Sequence, residues 1–180
     1  MILSKLSLLL LTLCPQPSHP PALASAHVLP TRAQHCSNAP ATVAGTKLTR
    51  RIPVLPRDNN YIWCVFGTET YITTQMLAAR VAAPPLLAMI NEAYGAAFAH
   101  LMAMGDGWLP SGQFEWETPE VRLSMMNANN RQMTWGVLAS ALWGLQELIQ
   151  QEGAYTVVQL LVYDGIHQVG RGSIVLNIQG

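Results

Sequence analysis

An α+β fold is the class this sequence predicts: two layers, with two long helices on one face of a mainly antiparallel sheet of about four strands, in the order β-α-β-α-β-β. Three observations carry that reading. Two segments, 84–104 and 134–152, repeat apolar residues at intervals of three and four. Shorter apolar runs of strand length precede and separate them. The chain then closes on two such runs joined by a glycine-rich stretch, the pattern of a hairpin.

The elements follow in chain order. Residues 1–26 read as a secretory signal peptide, with one positive charge in Met1–Lys5, an apolar run Leu6–Cys14, and small residues at Ala24-Ser25-Ala26. A run of about nine residues, ended by Pro15, Pro17, Pro20 and Pro21, is far short of the roughly 20 that span a bilayer. The mature chain is expected to start near His27 outside the cytosol, with no membrane span. Of the 180 residues, 154 remain, enough for one domain with a real core.

Residues 27–58 are rich in Pro, Thr, Ala and Asn and show no sustained period, so they read as an irregular arm. The arm is basic: Arg32, Lys47, Arg50, Arg51 and Arg57 meet no acid before Asp58. From Asp58 on, 4 basic residues stand against 10 acids, and the mature chain as a whole has 9 against 10. That balance leaves no bulk footprint for nucleic acid. Cys14 leaves with the leader, so Cys36 and Cys64 are one potential disulfide in an oxidising compartment, worth roughly 3 kcal/mol for a loop of about 28 residues. Arg50-Arg51 offers a competing fate, since dibasic cutting there removes 27–51 as a propeptide and leaves Cys64 alone.

A single α+β domain is expected over 59–180. Tyr61–Phe66 is an apolar and aromatic run bounded by Asn59-Asn60 and Gly67, and so a buried strand. Thr68–Thr74 has strand composition, while Gln75–Ala82 reads as helix. Pro84-Pro85 opens the first long helix, which should stop at Gly105. Phe114 and Trp116 alternate with Glu115 and Glu117; the apolar parity then shifts to Val121, Leu123 and Met125, which a bulge or edge break near Pro119 explains. Thr134 is the expected N-cap of the second helix and Gly153 its C-terminal glycine. Gly136, Ser140 and Gly144 form a row of small residues, as do Gly95, Ala99 and Ala103, and the two rows are expected to let the helices approach closely. Tyr155–Tyr163, apolar on both parities, reads as a central strand, and Asp164–Gly172 as the loop before a last strand through Ile174 and Ile178.

The aromatic first strand, the Gly105-Asp106-Gly107 loop, the Phe114-Glu115-Trp116 strand, the Thr134–Leu138 helix opening and the glycine-rich final hairpin together resemble a group of small secreted proteins of filamentous fungi. The resemblance covers Ile52 to Gly180 and not the arm. It implies a secreted α+β fold and carries over no activity, ligand or catalytic residue.

No complete constellation for catalysis, a metal or a cofactor appears. Asp106 and Asp164 lie in segments that loops of different elements can bring together, and a carboxylate pair is the minimum for general acid–base work; Asp-Gly is equally a common turn. Glu115 and Glu117 project from one strand face at about 7 Å, which also describes a solvated stripe. His100 and His167 lack ligand-spaced partners, and Ser111 and Ser173 match no nucleophile elbow. Trp108, between glycines in a loop, suits a platform for a glycan or small ligand. The expected function is that of a secreted, non-catalytic binding or interaction protein working through 106–113 and 164–172 on an extracellular ligand or protein. The alternatives are a small hydrolase using Asp106 or Asp164 with His167, and a precursor cut at Arg50-Arg51.

Overall fold

A computed structural model describes residues 34–48 and 60–177. The signal-peptide reading of 1–26, the Arg50-Arg51 step, and Arg32 and Arg57 of the basic arm lie outside those residues. Among the described residues the elements are β1 (His35–Cys36), β2 (Ala39–Val43), β3 (Asn60–Cys64), β4 (Thr70–Arg80), α1 (Ala83–Met104), β5 (Gln113–Glu117), β6 (Val121–Asn127), α2 (Trp135–Glu152), β7 (Thr156–Asp164) and β8 (His167–Leu176), with a 3-10 turn at Pro110–Gly112.

Strands β3 to β8 form one antiparallel sheet in the order β3-β4-β7-β8-β6-β5. The last hairpin is therefore inserted at the centre, between β4 and β6, and closes two halves laid down earlier. Each half ends in a helix on the same face: α1 lies over β5 and β6, and α2 over β3 and β4. Between helices and sheet is the main core, in which Ile72, Leu86, Ile90, Leu123, Leu142, Leu145 and Val162 are fully buried.

The α+β class and the helix-on-one-face layering hold, but the main sheet has six strands, not four, and the elements differ from the expectation at three places. Gln75–Arg80, read as helix, continues β4. That strand pairs with β3 on one side and β7 on the other, and Met76 on the even parity is buried, so tertiary pairing overrides a helix-friendly composition. The parity shift at Pro119 is a complete turn and not a bulge: β5 and β6 pair antiparallel, and the Thr118 N–H donates to the Val121 carbonyl at 2.9 Å. Finally, 164–172 is a tight turn at Gly165-Ile166 followed by β8, which already starts at His167.

The helix boundaries agree with the sequence. Pro84 occupies the first turn of α1, and the Gly105 N–H closes the helix on the Leu101 carbonyl at 2.9 Å. Thr134 caps α2 by accepting from the Val137 N–H at 3.3 Å, and Gly153 ends it in the left-handed conformation at φ 61°. The small-residue rows, however, are not the seam between the helices. A Cβ at Gly144 would meet Val65 and Trp63 of the sheet side, one at Gly136 would meet the Asp106 carboxylate, and one at Gly95 would meet nothing. The helices do lie close along each other, and rings meet between them, Tyr94 on Trp143 at 5.5 Å and His100 stacked on Trp135 at 4.0 Å.

The arm, read as irregular, carries the β1–β2 hairpin. Cys36 is bonded to Cys64 across 28 positions, as expected from the count. Around that bond Ala39, Leu48 and Tyr71 form a second small core on the sheet face opposite the helices. The arm also covers the open edge of β3: the Ser37 N–H donates to the Ile62 carbonyl at 2.6 Å, while the Asn38 side chain gives to the Cys64 carbonyl at 2.8 Å and accepts from the Cys64 N–H at 3.1 Å. An exposed edge strand is a template for unwanted pairing, and this one is closed by side-chain amide mimicry.

Candidate functional site

Two places carry polar groups that the fold brings together. One is the end of the molecule where α2 begins and the β7–β8 turn lies. The other is the sheet face that the helices leave uncovered.

At the first, Asp106 is committed to structure. Its Oδ1 accepts the Gly136 N–H at 2.8 Å and its Oδ2 accepts the Thr134 hydroxyl at 3.2 Å. A carboxylate brought from the α1–β5 loop thus satisfies a free N–H of the first turn of α2 and faces the positive end of the helix dipole. A Cβ at Gly136 would crowd that carboxylate at 3.0 Å. The loop is tied down on both sides, Trp135 N–H to Gly107 carbonyl at 3.0 Å and Leu109 N–H to Met133 carbonyl at 3.1 Å. Trp108 between these ties stays 70% exposed, so its side chain is open to contact with a ligand. Asp106→Ala is expected to cost about 1 kcal/mol, the usual worth of a helix cap, whereas Trp108→Ala leaves the melting temperature unchanged; paired thermal melts check both.

Asp164 lies opposite His167 at the mouth of the β7–β8 turn and opposite Thr70 on β4. The residue is exposed as a whole, yet its carboxyl is pushed above its ordinary value of 3.8, first by partial burial, then by the charges of Glu69 and Asp106, with His167 pulling the other way. The three residues singled out in the sequence, Asp106, Asp164 and His167, therefore share one end of the sheet, and Asp164 feels the charge of the other two. Among the described residues no group of three His, Cys, Asp or Glu is placed to hold a metal. A raised folded-state pKa means that ionised Asp164 opposes folding above that value, and the penalty fades as pH falls toward 3.8. Asp164→Asn is expected to raise the melting temperature at neutral pH, with the advantage vanishing below the ordinary carboxylate value; a difference constant with pH would refute the assignment.

At the second place the register builds ladders across the strands. Even-numbered residues of β4, of β7 and of β8 from Gly170 onward face the helices, so the odd ones there face out. Ile62, Thr73, Leu161, Arg171 and Met126 stand in one row over five adjacent strands, each directly opposite the next. Asn60, Gln75, Gln159, Ser173 and Ser124 stand in the adjacent row. Together, with Gln34 of the arm as a wall, they line a groove of about 810 Å³. That volume lies within the ordinary range of small-ligand sites, about 300–1,000 Å³. Tyr163 stacks on Tyr71 at 4.5 Å at the boundary between the groove and the arm's small core.

The sequence reading misses this groove. Its signal is the second parity of β7, where Gln159, Leu161 and Tyr163 alternate with buried Val158, Leu160 and Val162. Segment 164–172 does contribute, but as β8, through Arg171 and Gly172. Its glycines in β8 are not there for turn geometry: Gly170 gives way to Met133 and Gly172 to Met125 of the core. Ser173 is a groove hydroxyl, while Ser111 lies in the 3-10 turn before β5. Glu115 and Glu117 are exposed on edge strand β5, with Ser124 and Arg122 opposite them, as a solvated stripe would be.

No family model, curated protein or solved structure matches the chain.

Proposed function

We propose that this chain is a secreted protein, related to the small fungal secreted proteins it resembles, and that it works as a non-catalytic binder of an extracellular ligand. The observation that carries the reading is the groove on the uncovered sheet face, walled by an arm whose position a disulfide fixes. A disulfide suits an oxidising compartment, and no helix among the described residues is long and apolar enough to cross a membrane. On this reading the ligand sits in the groove and not on the surface of 106–113 and 164–172, since the backbone of 106–113 and Asp106 cap α2 and 164–172 contributes to the groove through Arg171 and Gly172. The test is a thermal-shift screen of the secreted protein against peptides, oligosaccharides and small acids. A ligand should raise the melting temperature of the wild type, and Leu161→Trp, which fills the groove from a position already 37% exposed, should abolish the shift and leave the free protein as stable. If Leu161→Trp binds every hit as well as the wild type does, the groove is not the site.

The hydrolase reading keeps one specific support, the raised Asp164 carboxyl beside Asp106 and His167. Hydrolysis of any ester, peptide or glycoside substrate that Asp164→Asn abolishes would favour it. Processing at Arg50-Arg51 acquires a different outcome: cutting there leaves the 34–48 segment attached through Cys36–Cys64. Intact-mass measurement of the secreted protein with and without reductant separates the forms.

A further inference from the structure

Among the described residues that line it, the groove has one charged side chain, and its setting specifies a ligand. Resting on the binding reading above, we infer that the groove takes a short extended peptide with apolar side chains and a free C-terminal carboxylate, anchored at Arg171. Arg171 is the one charged residue among the described residues that line the groove, and its direct cross-strand neighbours are Leu161 and Met126, neither of which can balance it. Arg122, the other arginine on this face among the described residues, stands opposite Glu117. A guanidinium between two aliphatic side chains presents its fork of donors to a planar anion, and a carboxylate matches it with two parallel hydrogen bonds.

The two rows beside Arg171 narrow the rest of the ligand. Gln75, Gln159, Ser173 and Ser124 offer only neutral donors and acceptors, which suits the amide groups of a peptide backbone and gives nothing to a polyanion. Ile62, Leu161 and Met126 offer aliphatic surface for its side chains. With strands about 4.8 Å apart, five of them span about 19 Å, room for a ligand of four or five extended residues. One cation calls for one anion, and a peptide C-terminus supplies it.

The experiment maps 15N–1H shifts of the secreted, disulfide-bonded protein on titration with acetylated tetrapeptides of Ala, Leu, Val and Gln, as free acids and as C-terminal amides. Free acids should move the amides of 159–161 and 171–173, and amidation should weaken binding about tenfold or more. Arg171→Gln should do the same, and Arg171→Lys should recover part of the loss, since it keeps the charge without the fork. The side chain of Arg171 is exposed, so these variants fold. Equal binding of acids and amides, or no effect of Arg171→Gln, overturns the carboxylate anchor while leaving the groove as a site. Two further titrations, with dodecanoate and with a galacturonate oligosaccharide, complete the set. Shifts in the groove with either of these and none with peptide overturn the peptide assignment; no groove shift with any probe overturns both the assignment and the binding reading.

Discussion

Replacing Cys36 and Cys64 by serine together is expected to lower the melting temperature by roughly 12 °C. The chain-entropy account of a 28-residue separation gives roughly 3 kcal/mol, and each kcal/mol moves the midpoint of a domain of this size by roughly 4 °C. The effect is not confined to the unfolded chain. Both cysteines are buried in the small core with Ala39, Leu48 and Tyr71, so two serines place hydroxyls in an apolar setting, and the hold of the arm on β3 weakens. The bond, the Ser37 and Asn38 pairs with β3 and the small core all tie the same arm, so their loss is cooperative. Hydrogen exchange separates local from global loss: the amides of Ile62 and Cys64 on β3 should speed up more than those of Leu160 and Val162 in the centre of the sheet. A double variant whose melting temperature stays within a degree or two of the wild type would show that the arm is held without the bond, and the fixed groove wall would go with it.

Much of this architecture is legible in the sequence, and what is not has a common cause. Both helices announce themselves locally, through Pro84, Thr134, Gly105 and Gly153, because caps are decided by neighbours in the chain. The strand count fails where partners decide. Gln75–Arg80 is extended because β7 lies along it and β3 meets it at Gln75, and nothing within those six residues says so. The candidate site divides in the same way. Asp106 and Asp164 are visible as loop carboxylates, yet whether a carboxylate is a cap or a free acid depends on what lies across the fold, here the Gly136 N–H at 2.8 Å. The groove needs five strands in register before Leu161, Arg171 and Met126 become neighbours, and a strand order of β3-β4-β7-β8-β6-β5 places them together from positions 126, 161 and 171 of the chain. The β8 glycines mislead for a related reason, since a residue without a side chain looks like a turn until the atom that occupies its space is known.

That last point carries the second large effect. Gly172→Ala is expected to destabilise the fold by about 2–3 kcal/mol, the usual scale of overpacking, and so to lower the melting temperature by roughly 8–12 °C. A Cβ at this position points to the helix side of the sheet, where it would overlap the Met125 sulfur and lie 2.8 Å from the Ser124 carbonyl oxygen. The sulfur belongs to a flexible side chain and can retreat; the carbonyl belongs to β6, paired with β8 at this very register, and can move only if the two strands part. Both neighbours are inside the sheet, so neither has solvent to relax into. Gly95→Ala is the matched control. Gly95 lies inside α1 with nothing within 4 Å of the added carbon, and there the same substitution should stabilise by about 0.5–1 kcal/mol through helix propensity alone. Trimming the obstructing side chain in Gly172→Ala/Met125→Ala should return part of the loss relative to the sum of the single variants, and the part not returned measures the clash with the β6 backbone. Equal melting temperatures for Gly172→Ala and the wild type would mean that β8 lies farther from β6 and Met125 than this packing has it.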